Sequence, residues 1–265
     1  MRTLLICHDD APLDREGLVR WLGSFSRFAG TVVVREPASR KRQRIRREIR
    51  RVGFWRFLDV LAFRLRYALV ASHADREWED RALERLRASF PDRPDTPEIV
   101  VGSPNSDAAE RFIRDCRPDL VVARCKTLLK EQVFSIPRLG TFVMHPGICP
   151  EYRNAHGCFW ARAAGDEGNI GMTLLRIDRG VDTGPVFGYF RVTPERDDES
   201  HVVTQHRVVL DHLDGIRDTL LTIAAGTATP LETAGRRSAA WGQPWLTAYL
   251  KTRFRSRAER QALQP

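Results

Sequence analysis

His145 is the residue of this chain best placed to do chemistry. It ends the apolar run Thr141–Met144, and the Pro146–Gly147 pair behind it forces the chain out of a strand. A second apolar run, Met172–Ile177, leads into DRGVDTG, which sets Asp182 in a glycine-flanked turn. An imidazole beside a carboxylate can hold a positive charge, donate to a developing oxyanion and pass protons through water. Taken alone, His145 reads as a satisfied histidine in a turn. Paired with Asp182 it reads as half of a catalytic site, because an α/β sheet gathers polar groups from its strand ends along one carboxyl edge.

The elements that must hold this pair alternate in type. Thr3–Cys7 reads as a first strand, Arg15–Phe25 as a helix and Thr31–Arg35 as a second strand. A helical insertion at about 40–90 follows and ends before the proline-rich PDRPDTP. Glu98–Val101, Leu120–Ala123, Phe142–His145, Met172–Ile177 and Val186–Val192 read as strands. Asp107–Cys116, His156–Ala164 and a long Glu199–Ala224 read as helices. The alternation implies an α/β, Rossmann-like fold, a mostly parallel sheet with helices on both faces. The expected organisation is a catalytic domain over 1–195, with a C-terminal helix and basic tail over 196–265 packing on it. The first turn, CHDDAPLDREG, has neither G-x-G-x-x-G nor a P-loop, which argues against dinucleotide or ATP binding. His8, Asp9 and Asp10 end the first strand and are placed for a substrate contact, although helix capping by Asp10 or Asp14 is the favoured role for the acids.

HPGICPEYRNAHG resembles the His-Pro-Ser-Leu-Leu-Pro-x-Tyr-Arg-Gly loop of the folate-dependent formyltransferases, and DRGVDTGPV resembles that family's Asp-x-Gly-x-Asp-Thr-Gly-Pro. Upstream, DLVVARCKTLLKEQVFSIPRLG is similar to the strand and helix with which the family covers a pterin. The three pieces keep the family's order and spacing, and the resemblance as a whole spans roughly Glu98–Val192. The family includes methionyl-tRNA formyltransferase, glycinamide ribonucleotide transformylase and the amino-sugar formyltransferases. The resemblance implies the formyltransferase fold and transfer of a formyl group from 10-formyl-tetrahydrofolate to an amine, a step of one-carbon metabolism, with His145 and Asp182 catalytic. It also implies that the backbone of Thr127, Leu128 and Leu129 meets the pterin edge, with Ile148 helping to wall it. One position departs. The family pattern is Asn-x-His, and this chain has Val143, whose side chain carries no polar atom. Asn154, where the family commonly has glycine, is the candidate substitute donor, and it reads equally as a turn residue that tolerates a left-handed backbone. Losing one oxyanion donor typically costs about a hundred- to a thousandfold in rate. Val143 therefore leaves three readings: a substitute donor, a slow or formyl-hydrolysing enzyme, or a domain that binds folate without transfer. Retention of His145 and Asp182 argues against the last.

The chain has 265 residues, 42% hydrophobic and 29% charged, enough for one good core with an appended segment. No run reaches about 18 apolar residues, so no transmembrane helix is expected, and the opening apolar run is too short for a secretory signal. Five cysteines, odd in number and not closely paired, suit reduced thiols in a cytoplasm. Cys149 and Cys158 lie near His145 and His156, but without a Cys-x-x-Cys pair the preferred reading is small residues filling a loop, and no metal is expected. The net charge of +9 is concentrated. Arg35, Arg40, Lys41, Arg42, Arg44, Arg46, Arg47, Arg50 and Arg51 stand against only Glu36 and Glu48, and Lys251, Arg253, Arg255, Arg257 and Arg260 form a second block. Such blocks are ordinarily solvated faces. Their functional reading is a surface for an anionic partner: a phosphorylated substrate, RNA or an acidic membrane. Val52–Val70 follows, with Phe54, Trp55, Leu58, Leu61 and Leu65 at helical spacing, read as core packing or a homodimer face in preference to membrane contact. The expected acceptor is a small phosphorylated amine, such as a nucleotide-linked amino sugar or a biosynthetic intermediate. The stretch after Ala225 is short for the C-terminal β-barrel of the methionyl-tRNA formyltransferases, which argues against tRNA.

Overall fold

Runs of Val, Ile and Leu bounded by charged residues become the strands of a seven-stranded sheet in the computed structural model, which describes residues 1–194 and 199–263. The side chains of 40, 41, 44 and 256–263 lie outside that description, and with them Arg40, Lys41, Arg44, Arg257 and Arg260 of the basic blocks. The expected domain boundary at 195 also falls on residues outside it.

The chain begins with β1 (Arg2–His8) and a π-helical turn (Leu13–Leu18) that continues into α1 (Val19–Phe25). Next come β2 (Arg27–Val34) and three consecutive helices, α2 (Ala38–Val52), α3 (Phe54–Val70) and α4 (Ser72–Ser89). β3 (Glu98–Val101), α5 (Asp107–Cys116), β4 (Leu120–Arg124), α6 (Glu131–Phe134) and β5 (Gly140–His145) follow. A two-residue β6 (Arg153–Asn154) leads to α7 (Gly157–Ala164), β7 (Gly171–Arg176) and β8 (Val186–Arg191). The chain closes with α8 (His201–Leu210), α9 (Leu213–Ala225), β9 (Ala240–Trp241) and α10 (Leu246–Leu263).

The strand order is β3-β2-β1-β4-β5-β7-β8. The first five strands are parallel, and β7 and β8 join antiparallel. Strand order reverses at β1, so the carboxyl ends of β1, β4 and β5 frame the crevice in which open α/β sheets bind ligands. Alternate residues of β1 enter opposite layers. Leu5 and Cys7 pack with Trp21, Leu22, Phe159 and Ile216, whereas Leu4 and Ile6 pack with Ala109, Ile113 and Val133. Burial on both faces is why the central strands read as continuous apolar runs.

Three sequence expectations are corrected. The long helix at 199–224 is two helices: Arg207 holds Asp211 at 3.1 Å, and His212 leaves helical geometry at φ −125°. The turn brings Leu213 and Ile216 onto the core. On α3 the core-packing alternative fails, because the core face is the opposite one. Phe57, Val60 and Phe63 are buried, while Phe54, Trp55, Leu58, Leu61 and Leu65 are exposed. Phe63 decides the phase by packing against Phe159 and Tyr249, with ring centroids 5.6 and 5.7 Å away. Finally, no acid caps the first helical turn, whose N-cap is Pro12. Asp14 is buried and meets Arg124 instead, Nε to Oδ1 at 3.1 Å.

That ion pair reaches the site. Arg124 also donates from Nη1 to the Met144 carbonyl at 2.8 Å, which locks the end of β4 to β5 one residue before His145. Removing one partner of a buried pair strands the other charge, at a cost of roughly 3–5 kcal/mol. Arg124→Met should therefore lower the urea midpoint by the equivalent of about 3 kcal/mol, and adding Asp14→Leu should recover part of it. Equal midpoints for Arg124→Met and the wild type would show that the pair carries no such strain.

Candidate functional site

β5 delivers His145 at its carboxyl end, opposite Thr173 of β7. The side chain is buried, and both ring nitrogens face oxygen. Nε2 lies 2.9 Å from the Tyr152 carbonyl, and Nδ1 lies 3.4 Å from Asp182 Oδ2. A carbonyl only accepts, so Nε2 carries the hydrogen of that bond. Nδ1 is then the nitrogen left facing the carboxylate. At 3.4 Å its contact with Asp182 is a charge pairing, longer than the roughly 2.9 Å of a tight N–H···O bond. Nδ1 thus keeps room for a third group.

The His-Pro-Gly turn is braced from two sides. Thr173 Oγ1 donates to the Gly147 carbonyl at 2.7 Å and accepts the Cys149 N–H at 2.9 Å. From below, Gly147 and Gly157 meet back to back. A β-carbon on Gly157 would stand 2.5 Å from the Gly147 Cα, and one on Gly147 would stand 2.8 Å from His145 Nε2. Glycine at both positions lets the start of α7 close under the histidine.

Asp182 sits in a left-handed turn at φ +52°. Its Oδ2 accepts the Asn154 N–H at 2.8 Å, and Arg153 Nη1 donates to the neighbouring Val181 carbonyl at 2.9 Å. Asp178 shapes the turn by accepting from the Gly180 N–H at 2.9 Å and from Thr183 Oγ1 at 2.8 Å. Sequence reading missed Asp178, although an aspartate that bonds the backbone two residues on is a recognisable turn former. It also missed Arg124 and Tyr152, whose contributions depend on contacts no local pattern announces.

The other expected site residues separate into two groups. Thr127, Leu128 and Leu129 line a narrow slot together with Val143, Leu175 and Asp182. The slot's volume is ≈ 70 Å³, and Leu128, 63% exposed, stands at its edge. Among the described residues, the N–H groups of Thr127, Leu128 and Leu129 have no protein partner. The Leu128 carbonyl accepts from Asn105 Nδ2 at 2.9 Å, and Asn105 Oδ1 accepts the Lys130 N–H at 2.7 Å, so this loop is held from outside. Ile148 does not join the slot. It is fully buried beside Gly171, because the turn directs its side chain into the protein. Asn154 comes to the site by its backbone only. It adopts φ +79°, and its side-chain Nδ2 donates to the Trp241 carbonyl across the β6–β9 pair. The positive φ is the geometry of a left-handed turn residue, and one N–H of the amide is engaged at Trp241.

Around this centre, neighbouring polar groups are engaged. His8 accepts the Lys126 N–H at Nε2 (2.9 Å) and donates from Nδ1 to the Val34 carbonyl (3.2 Å). Burial and then the nearby Lys126 charge lower its pKa, so it is a neutral stitch between strand ends. Asp9 pairs with Arg35 at 2.8 Å, and Asp10 stays exposed. His156 turns away from His145 to pack on His201, ring centroids 5.5 Å apart, and its Nδ1 accepts from Gln205 Nε2 at 3.3 Å. Burial lowers these two imidazoles to about 4 and about 3. The Cys158 thiol donates to the Gly171 carbonyl at 3.3 Å, and burial pushes it up to about 12. Among the described residues no three His, Cys, Asp or Glu are grouped to hold a metal ion.

Residues 102–210 match the formyl transferase family. The methionyl-tRNA formyltransferase of Thermotoga maritima is 36% identical over 93 residues, 35% of this chain and 29% of that protein. The Thermus thermophilus enzyme of the same name is 30% identical over 155 residues, 57% of this chain and 50% of that protein. The chain thus spans half or less of the length of these relatives. In fold it is similar to a phosphoribosylglycinamide formyltransferase from Anaplasma phagocytophilum (TM-score 0.56, 14% identity, 92% of this chain and 99% of that one). It is similar also to a sugar N-formyltransferase from a Shewanella species (TM-score 0.54, 15% identity, 91% and 76%).

The two neutral imidazoles set a pH dependence of stability. Their folded pKa values lie below the unfolded value of 6.5, so the native state resists protons that the unfolded chain takes up. The stability they contribute is complete above pH 6.5 and is lost as pH falls toward about 4. His156→Asn keeps a residue tolerant of the left-handed backbone and removes one titration. Its melting temperature should fall less steeply than that of the wild type between pH 6.5 and 4. Parallel curves would show that His156 is not linked to folding.

Proposed function

We propose that this chain, a member of the formyltransferase family, transfers a formyl group from 10-formyl-tetrahydrofolate to an amine on a small acceptor. The observation that carries the reading is the His145–Asp182 contact, beside a slot with largely apolar walls that Thr127, Leu128 and Leu129 help to line. A pterin has flat faces and an edge of donors and acceptors, which this combination fits in kind. Val143, Leu175 and Ile177 would wall it, and the N–H groups of Thr127, Leu128 and Leu129 would meet its edge. At ≈ 70 Å³ the slot is smaller than the several hundred Å³ of most ligand pockets, so it would hold one edge of the ring rather than enclose it. Bound there, the folate would supply a formyl group on a nitrogen able to leave.

The chain's own contribution is proton placement. Protonated His145 offers its Nδ1–H to the negative charge that collects on the formyl oxygen as the amine nitrogen bonds to the formyl carbon. The Tyr152 carbonyl keeps Nε2 protonated and the ring in plane. Asp182 stabilises the imidazolium and, directly or through one water, accepts the proton that the attacking nitrogen sheds. The same proton is available to the departing nitrogen as its bond to carbon breaks.

For the acceptor we favour a phosphate-bearing amine, such as a nucleotide-linked amino sugar or a biosynthetic intermediate. The basic surface supports this, as do two proteins of the same fold that are named for sugar and phosphoribosylglycinamide acceptors. Since the sequence relatives are methionyl-tRNA formyltransferases, initiator tRNA belongs in the same assay. One observation favours a second reading, slow transfer or formyl hydrolysis: Val143 offers no donor, and the Asn154 side chain is drawn toward the Trp241 carbonyl while its backbone N–H meets Asp182.

Calorimetry with 5-formyl-tetrahydrofolate should show binding to the wild type and, within a few fold, to His145→Ala. No heat at millimolar ligand would remove the folate reading. His145→Ala should lower kcat by about a hundredfold or more while affinity persists, because the imidazole acts on the transition state.

Formylated amine and free formate should be followed together. Val143→Asn, which places an amide on the strand face of His145, should raise the ratio of transfer to formate release. An unchanged ratio would show that the missing amide is not what limits transfer.

A further inference from the structure

α3 turns an apolar arc to solvent. Phe54, Leu58, Leu61, Leu65 and Leu69 recur at i, i+4, i+7, i+11 and i+15, which places them along one side of the helix. All five are exposed, from 39% at Leu58 to 77% at Leu69, and Trp55 beside them is 81% exposed. The helix satisfies the core with its opposite arc, Phe57, Val60 and Phe63. Over 17 residues the exposed stripe runs about 25 Å. Scattered exposed leucines need no explanation, but a contiguous line of apolar side chains marks an interaction surface.

The charge beside the stripe says what covers it. α2 precedes α3 across Gly53, and Arg35–Arg51 carries nine Lys or Arg against two Glu. Arg42, Arg46, Arg47 and Arg50 are exposed. α3 itself has one acid, Asp59, which is occupied with the N–H of Thr247 at 3.0 Å and with its hydroxyl, and it exposes Arg56 and Arg64.

We propose that α2 and α3 form a docking face for an anionic lipid bilayer, with α3 lying in the plane of the interface. A nucleic acid would answer the arginines of α2 but offers nothing to a line of leucines. A second copy of the chain would cover the leucines but would bring two strongly basic segments to one interface, where like charges repel. An anionic bilayer answers both. Headgroups neutralise the arginines, Leu and Phe side chains enter the acyl boundary, and Trp55 takes the interfacial level that tryptophan prefers. No described helix is long and apolar enough to cross a membrane, so the attachment is peripheral. Two weak signals, an apolar face and a polybasic segment, combine as stable peripheral anchoring requires. The proposal does not depend on formyl transfer.

The test is co-sedimentation of the full chain with vesicles of phosphatidylcholine alone and of phosphatidylcholine containing one-third phosphatidylglycerol. Binding to the anionic vesicles should be at least about tenfold stronger and should weaken as salt is raised. The triple variant Leu58→Ser, Leu61→Ser, Leu65→Ser should lose binding while keeping its melting temperature, because these side chains are exposed. Arg42→Glu, Arg46→Glu and Arg50→Glu together should lose it too. Brominated lipid should quench tryptophan emission in the wild type and not in Trp55→Phe. Failure of the wild type to sediment with anionic vesicles overturns the proposal. In that case, a dimer that the serine variant converts to monomer assigns the stripe to self-association. RNA binding retained by the serine variant assigns α2 to nucleic acid.

Discussion

Because a carbonyl oxygen can only accept, the Tyr152 backbone decides which nitrogen of His145 keeps its hydrogen and which is free to exchange one. The rest of the site is arranged around holding that carbonyl in place. The Tyr152 N–H donates to the Ile148 carbonyl at 2.8 Å, its hydroxyl donates to Asp166 at 2.8 Å, and its ring stacks on Trp241. The glycine pair beneath permits the close approach, and β6 carries the next residues, Arg153 and Asn154, against Asp182 and its turn. The buried imidazole is thus fixed between a backbone acceptor and a carboxylate by the fold alone.

How much of this was legible in the sequence follows from where each interaction is encoded. The strands were readable because burial on two faces demands continuous apolar runs. His145 and Asp182 were readable because Pro146, Gly147, Gly180 and Gly184 punctuate the strand ends that carry them. The Asp14–Arg124 pair was not, because its partners are 110 residues apart and meet only once β1 and β4 are neighbours. Ile148 shows a finer failure. Its place in the loop was right, but the direction of its side chain depends on how Thr173 and Gly171 receive the turn. The two-helix form of 201–225 was hidden because an apolar run does not reveal one non-helical residue within it.

α3 shows a limit of another kind. A helix apolar on more than one arc has periodicity but no sign, and only tertiary partners decide which arc turns inward. Phe63, between Phe159 and Tyr249, makes that decision here. The residues that most resembled a core face are the ones left to solvent. Val143 is the converse case: its neighbourhood was legible, since β5 sets positions 143 and 145 on one strand face, yet what replaces a missing amide there is no property of a single position.

The β6–β9 pair has a consequence for the making of the protein. Asn154 and Trp241 are 87 residues apart in the chain, so the strand that holds the Asn154 loop is synthesised well after the loop itself. At about 5–20 residues per second, a ribosome takes roughly 4–17 s to cover that distance. Once residue 191 is made, with about 50 residues of that interval still to come, the nascent chain already contains every strand of the main sheet. The loop beside Asp182 still lacks its backbone partner, so the emerging polypeptide carries the site's side chains for seconds before it can hold them in register.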